Sequence, residues 1–498
     1  MLSNLAKVAV LVIALVLVAI MVGGVTPTAA DAPQQRPPTV VLPTPAVTRT
    51  PPRVTTAAPA RPVRAPATPT RVSKPAAPRS IPGPSGSFSS GFTIQKMTTT
   101  AASCSYQFFN ADGSSAHTSS TFTVPASGSV FTYVPNISGL SSGQYAGVVS
   151  CDQQVAAVVN SASANSGGSY PAVASPATTW YAPNAFNNYY NWYTNFVVQN
   201  TTTAALPVAL QVIDSAGTVV ATQSPTGGTI PANGYWNVEQ AGLAGLSANT
   251  PYSAKITATG GNIAVEANIF GGDGTTDANK LYSYRALTSG STTAYAPLIM
   301  NNYYGYLTAL TVQNIGTVAT TVTVTYGTGL THSQSILASS AYVFYTPSSG
   351  LPTGTLTSAQ ITSTGGQNIV ALVNETNSYG RAASYTAFAS GSTTVRAPIV
   401  LKRYYNYNTS ITCQNVGTAA TNMTITYSNG ASSSQTGIAQ NGTALFYQPN
   451  ESGLTDGFNG SAVVTSSSQN IVCVVNEDMN EGSQATTVFD QLFAYEGF

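Results

Sequence analysis

Two histidines, four cysteines and sixteen carboxylates are all that this 498-residue chain offers for nucleophilic, acid–base or metal chemistry. His117 and His332 lie far apart in the chain, with no acid or nucleophile motif beside either. The sequence holds no Gly-x-Ser-x-Gly elbow, no His-Glu-x-x-His and no phosphate-binding loop. A non-catalytic protein is therefore expected. Two acidic clusters, Asp273 with Asp277 and Glu477 with Asp478 and Glu481, each follow an apolar run that reads as a late strand. Carboxylates clustered in turns can hold Ca²⁺ through oxygen ligands. Neither cluster has the spacing of a Ca²⁺ loop, so solvated loops are expected, with Ca²⁺ the only cofactor considered.

The residues best suited to recognition are aromatic. Tyr189, Tyr190, Trp192 and Tyr193 follow Asn187-Asn188, Tyr303, Tyr304 and Tyr306 follow Asn301-Asn302, and Tyr404, Tyr405 and Tyr407 follow Lys402-Arg403. An Ala-Pro pair precedes each group, at Ala182-Pro183, Ala296-Pro297 and Ala397-Pro398. Rings that bury area while their phenol oxygens stay wet suit a junction between neighbouring domains. The same rings beside Asn donors suit a sugar or a protein surface. Junction packing is the leading expectation and a ligand surface the second.

The four cysteines allow three pairings. Cys104 with Cys151 and Cys413 with Cys473 is the expected pattern, because each pair then lies inside one repeat of the chain. Cys413 and Cys473 sit mid-strand, where a bridge between the two sheets of a sandwich is expected. Disulfides in turn point to an oxidising, extracytoplasmic compartment.

The elements that carry these residues follow from composition and pattern. Only 7% of residues are charged, which argues against a charge-rich disordered chain and against a nucleic-acid partner. Nine of the 17 Lys and Arg residues precede residue 90, leaving eight against fifteen acids and a net charge of −7 for the body. Lys7, the apolar run Val8–Val25 and the small residues Thr26–Ala30 read as a signal peptide. An uncleaved anchor is the alternative, and the only contact with a membrane that is expected. Residues 31–88 alternate Pro with Thr, Ala, Val and Arg, which suits an extended spacer of roughly 3 Å per residue.

The body repeats. Phe196-Val197-Val198-Gln199-Asn200, Leu310-Thr311-Val312-Gln313-Asn314 and Ile411-Thr412-Cys413-Gln414-Asn415 recur, with a weaker copy at Phe92–Lys96. Each of the three is followed by a small Thr/Ala stretch and then an alternating run such as Val322-Thr323-Val324-Thr325-Tyr326. Alternation of this kind is the pattern of a half-buried strand. The expected fold is all-β: four tandem immunoglobulin-like sandwiches at 89–180, 181–294, 295–396 and 397–498, arranged as beads in a row. Tandem small barrels are the alternative. The stretches Val312–Tyr326 and Cys413–Tyr427 resemble the Ig-like repeats of bacterial surface proteins, of the CARDB adhesion-related type. That resemblance implies a secreted, cell-surface and non-catalytic role, and it transfers no site residue. A structural protein of the cell surface, forming a coat, sheath, stalk or filament from copies of itself, is the leading expectation. An adhesin that binds glycan or protein through the Tyr-rich segments is the second.

Overall fold

The computed structural model describes residues 11–19 and 87–498, apart from residues 127, 241–242, 272–278 and 482–488. Asp273 and Asp277 therefore lie outside the described residues, as does the Pro-rich segment. The protein is all-β, with several separate antiparallel sheets and no α-helix among the described residues.

Alternation in the sequence becomes alternation of burial. Along Thr320–Tyr326 the side chains of Val322, Val324 and Tyr326 are buried, while the intervening Thr residues face outward. The strands that carry the Gln-Asn motif, Trp192–Asn200, Tyr306–Asn314 and Asn408–Asn415, each pair with a late strand: Ile263–Gly271, Ile369–Thr376 and Ile471–Asp478. Ser89–Lys96 pairs with Val155–Ala162 in the same way. A second set of strands covers their apolar face, so that Val312 of the motif strand and Val324 of the covering set share one core; in the third repeat Thr293–Tyr303 pairs with both sets and joins them into one eight-stranded sheet. Each such side chain contributes roughly 1.5–3 kcal/mol on burial.

The motif Asn is a turn clamp. Asn314 Nδ2 donates to the carbonyls of Val318 (2.8 Å) and Ile336 (3.1 Å), and its Oδ1 accepts the N–H of Gly316 (2.9 Å). Asn200 and Asn415 hold the equivalent turns through Ala204 and Ala419. The Gln at this position reaches a neighbouring repeat in two cases, whereas Gln313 donates to Ser339 O of its own repeat (3.4 Å). Gln414 Nε2 donates to Ala359 O of the third repeat (3.3 Å), and Gln95 Nε2 to Ala462 O of the fourth (3.4 Å).

A lead strand completes each second sheet. Thr179–Ala182, Thr293–Tyr303 and Thr394–Lys402 pair with Ser253–Ala258, Thr355–Ser363 and Phe458–Ser466. In the first repeat that place is taken by Leu11–Ala19, antiparallel to Gly143–Cys151 from Leu11↔Cys151 to Ala19↔Gly143. The described part of the run expected as a signal or anchor is thus a strand. No helix among the described residues is long and apolar enough to cross a membrane.

Both expected disulfides form, Cys104–Cys151 and Cys413–Cys473. Their placement corrects one expectation. Cys413 and Cys473 are register partners on adjacent strands of a single sheet, with Cα atoms 4.0 Å apart. The bridge staples hydrogen-bonded neighbours and does not join two sheets. The third repeat carries Val312 opposite Ala371 at the same register.

The arrangement of the repeats corrects a second expectation. They form no row of separate beads: the described residues, Leu11–Ala19 and those from 87 onward, belong to one compact unit. After each late strand a hairpin returns a short closing strand, at Gly167–Pro171, Leu281–Arg285, Ala382–Thr386 and Phe493–Glu496. Each closing strand lies against the next, and the last lies against the first. The circuit is tight. A Cβ on Gly168 would sit 2.3 Å from Ser283 Oγ, and one on Gly167 would sit 2.6 Å from the Phe493 ring, so a side chain at either place would force its neighbour to move. Asp490 ties the centre together. Its carboxylate accepts the N–H groups of Leu281 (2.7 Å) and Ala382 (2.9 Å), and its own N–H donates to Asn165 O (2.8 Å). One residue of the fourth repeat thereby holds the other three.

Candidate functional site

The Tyr-rich segments fold into tight hairpins. Tyr189 pairs with Trp192, Tyr303 with Tyr306 and Tyr404 with Tyr407, which leaves two-residue turns at Tyr190-Asn191, Tyr304-Gly305 and Tyr405-Asn406. Both turn residues have positive φ, near 48° at each Tyr and at 68°, 83° and 69° at its follower. That is the turn whose twist matches two antiparallel strands, and its first position ordinarily selects Asn, Asp or Gly. A tyrosine there holds a conformation that costs on the order of 1 kcal/mol or more. The strain occurs three times, with the same residue type at the same place.

The surroundings repeat as well. The side chains of Asn187, Asn301 and Lys402 reach back to the carbonyls of Leu246 (3.4 Å), Leu351 (2.6 Å) and Leu454 (2.9 Å), which clamps each hairpin base. Tyr189, Tyr303 and Tyr404 pack onto the cores, and burial raises the phenol pKa of Tyr189 and Tyr303. The following ring stands edge-on to each of them, with centroids 4.8, 4.8 and 4.7 Å apart. These second rings point to solvent: Tyr190 is 71% exposed, Tyr304 84% and Tyr405 76%.

The remaining aromatic residues turn inward. Tyr193 stacks on Phe270, and Trp192 lies against Tyr282. Tyr306 Oη donates to Asp478 across the third and fourth repeats, and Tyr407 Oη donates to Gln491. Each Tyr group therefore divides between interior packing and a free tip. The structure brings the inward residues to the centre and leaves three separate tips at the surface.

The second acidic cluster is not a solvated loop. Glu477 and Asp478 end the strand Ile471–Asp478 and are buried. Asp478 pairs with the buried Arg381 at 2.8 Å, whose guanidinium also donates to Phe489 O and Met479 O and lies over the Phe489 ring. Glu477 accepts from Asn160 Nδ2 (3.2 Å). Glu481, by contrast, faces out to Arg403 (2.6 Å). The three carboxylates thus serve three different partners, and no trio of His, Cys, Asp or Glu suited to a metal occurs among the described residues.

Sequence reasoning missed the carboxylates of the interior. Glu266, Glu375 and Glu477 are buried, and desolvation pushes each up to about 8. Glu375 accepts from Asn476 Nδ2 (2.6 Å), so two of these acids join neighbouring repeats through an Asn. The available signal was the Asn-Glu pair that ends two late strands, Asn374-Glu375 and Asn476-Glu477. His117 stacks on Tyr106, and His332 meets the edge of Tyr326 in a different repeat.

No known family model matches the chain, and no curated protein does. Among solved structures, Thermotoga maritima 1070 aligns with 20% of this chain and 94% of its own, at 14% identity and a TM-score of 0.17. A Streptomyces avermitilis alpha-L-rhamnosidase complexed with L-rhamnose aligns with 74% of this chain and 53% of its own, at 9% identity and a TM-score of 0.13. At such scores neither likeness bears on fold or activity.

Proposed function

We propose that the chain is a non-catalytic extracellular binding protein of the cell surface. In this reading four Ig-like sandwiches close on one another and present Tyr-tipped hairpins to a glycan or protein surface. The observation that carries it is the threefold recurrence of an exposed tyrosine, Tyr190, Tyr304 and Tyr405, at a strained turn. The edge contact with the preceding ring at best offsets the strain of a tyrosine at φ near 48°, so the recurrence of the residue is better accounted for by contact with something else. The two disulfides fit an oxidising compartment, and the Pro-rich segment suits a spacer that holds the body away from its point of attachment. The test is adsorption of the whole chain to immobilised polysaccharides and envelope preparations, compared with a Tyr190→Gly/Tyr304→Gly/Tyr405→Gly variant. Retention that drops at least tenfold in a fully folded variant supports the reading, and equal retention removes it.

A second reading, a subunit of a surface coat or filament, is favoured by one observation. The Gly143–Cys151 edge of the first repeat is completed only by the distant segment Leu11–Ala19. A strand supplied from so far along the chain can equally be supplied by another copy. Sedimentation and negative-stain microscopy of the whole chain test it: ordered polymers support it, and monomers at all concentrations count against it.

A further inference from the structure

Beside the first hairpin lies a cleft of about 330 Å³ between the second and third repeats. Phe186, Tyr189 and Tyr342 supply its aromatic walls, Asn184 and Asp214 supply polar groups, and Tyr252 lies at its base. Phe186 is buried and stacked 4.9 Å beneath Tyr189, so the aromatic surface open to the cleft is that of Tyr189 and of the exposed Tyr342.

Asn184 is out of place for a residue that only packs. It follows Ala182-Pro183, where the third and fourth repeats carry Leu298 after Ala296-Pro297 and Ile399 after Ala397-Pro398. The three positions are structurally equivalent, because a buried tyrosine hydroxyl donates to the backbone oxygen of each: Tyr284 to Asn184 (3.3 Å), Tyr385 to Leu298 (2.6 Å) and Tyr495 to Ile399 (2.6 Å). Asn184 is 1% exposed, and neither its Oδ1 nor its Nδ2 has a hydrogen-bond partner in the protein. A buried amide without partners destabilises the fold, a cost that an apolar residue avoids at the same site in two other repeats.

We propose that this cleft is a binding site for one or two rings of a neutral sugar. Tyr342, with Tyr189 beside it, takes the apolar side of a pyranose, and the Asn184 amide both donates to and accepts from its hydroxyls. Asp214 uses Oδ1 to hold the backbone N–H groups of Ala216 and Thr218 (both 2.9 Å), and its charge beside the cleft selects against anionic sugars. The proposal rests on the binding reading above and names a ligand class for it.

The experiment is saturation-transfer NMR on the whole chain with glucose, galactose, mannose, N-acetylglucosamine and cellobiose as probes, alongside glucuronic acid. Three variants are compared: Asn184→Leu, Asp214→Asn, and the triple Tyr-to-Gly variant. The expected result is transfer to at least one neutral probe, affinity weakened at least tenfold in Asn184→Leu, and a thermal midpoint of that variant at or above the parent's. Asp214→Asn, which keeps the turn hydrogen bonds, should admit glucuronic acid. Transfer that survives Asn184→Leu but vanishes in the triple variant would overturn the cleft while leaving the hairpin reading intact. Absence of transfer to every neutral probe would overturn the cleft outright. A poorly folded Asn184→Leu leaves the decision to Asp214→Asn, where unchanged discrimination between glucose and glucuronic acid also overturns it.

Discussion

A tyrosine at φ near 48° is a local defect that glycine would repair. Replacing Tyr304 by Gly should therefore leave stability unchanged or raise it by up to about 1 kcal/mol, the relief of the turn offset by the lost edge contact with Tyr303. Chemical denaturation measures this, and a loss above about 1 kcal/mol would show that the ring serves the fold. The Arg381–Asp478 pair behaves in the opposite way. Both side chains are almost fully buried, so Arg381→Met alone strands a carboxylate and should cost about 3–5 kcal/mol. Arg381→Met combined with Asp478→Asn should recover a large part of that loss, because the stranded charge is gone. A double variant no more stable than the single one would show that the guanidinium acts mainly through its bonds to Phe489 O and Met479 O. The Arg403 ion pairs are partly exposed and carry little stability.

At the scale of the strand, much was legible in the sequence. Val-Thr alternation along Val322–Tyr326 gave a strand because a pleat places successive side chains on opposite faces. The recurring Gln-Asn could be found as a repeat, but its two roles could not. That Asn314 clamps its own turn while Gln414 crosses to another repeat depends on which loop lies above the strand end. The cysteine pairing was readable and its geometry was not. Cys413 and Cys473 occupy inward positions on two mid-strand runs, and that pattern is the same whether the strands face or adjoin. Asn184 was visible as a departure from Leu298 and Ile399, yet it acquires meaning only once the backbone after Ala-Pro proves to be buried. The third repeat also gives the disulfide its test. With Val312 opposite Ala371 as a template, Cys413→Val/Cys473→Ala should fold and lose about 2–4 kcal/mol, since only the loop constraint of 60 residues is removed. Failure to fold would mean that the bridge sets the register itself. The lead strand of the first repeat has its own check. Ala14→Pro/Leu15→Pro places a missing N–H on both sides of the strand, so one falls on the Gly143–Cys151 side. That variant should lose protection against hydrogen exchange along Gly143–Cys151, while the lead strands of the other repeats are untouched.

For the whole molecule, the closed circuit of repeats was hidden because its contacts use Gly167, Gly168 and Ser169, small residues that form no pattern, and because the Asn that recurs at the end of each late strand does not reveal its partner. The acids gathered there make the assembly sensitive to pH. Glu266, Glu375 and Glu477 have folded pKa values raised to about 8, against roughly 4.5 when unfolded. The folded state thus holds protons that the unfolded state releases. The stability from this source is complete below about pH 4.5 and is lost as pH rises through about 8, each acid accounting for several kcal/mol in order of magnitude. The thermal midpoint should fall between pH 5 and pH 9, and Glu375→Gln/Glu477→Gln should flatten that decline. A midpoint that climbs over this range would contradict the burial of these carboxyls.

The circuit also links the beginning of the body to its end. Ser89 pairs with Ala162, Ala162 pairs with Gly167, and Gly167 meets the Phe493 ring. Ser89 and Phe493, near the two ends of the body, are therefore linked through only two intervening strands. Opening the chain between the third and fourth repeats at Gly391, and joining residue 498 through a flexible linker to the lead strand Leu11–Ala19 that the first repeat needs, should leave every pairing of the circuit in place and fold to the same circuit. The order in which the ribosome delivers the repeats is one of four that close the same circuit, and the first is distinguished from the rest by the distant origin of its lead strand.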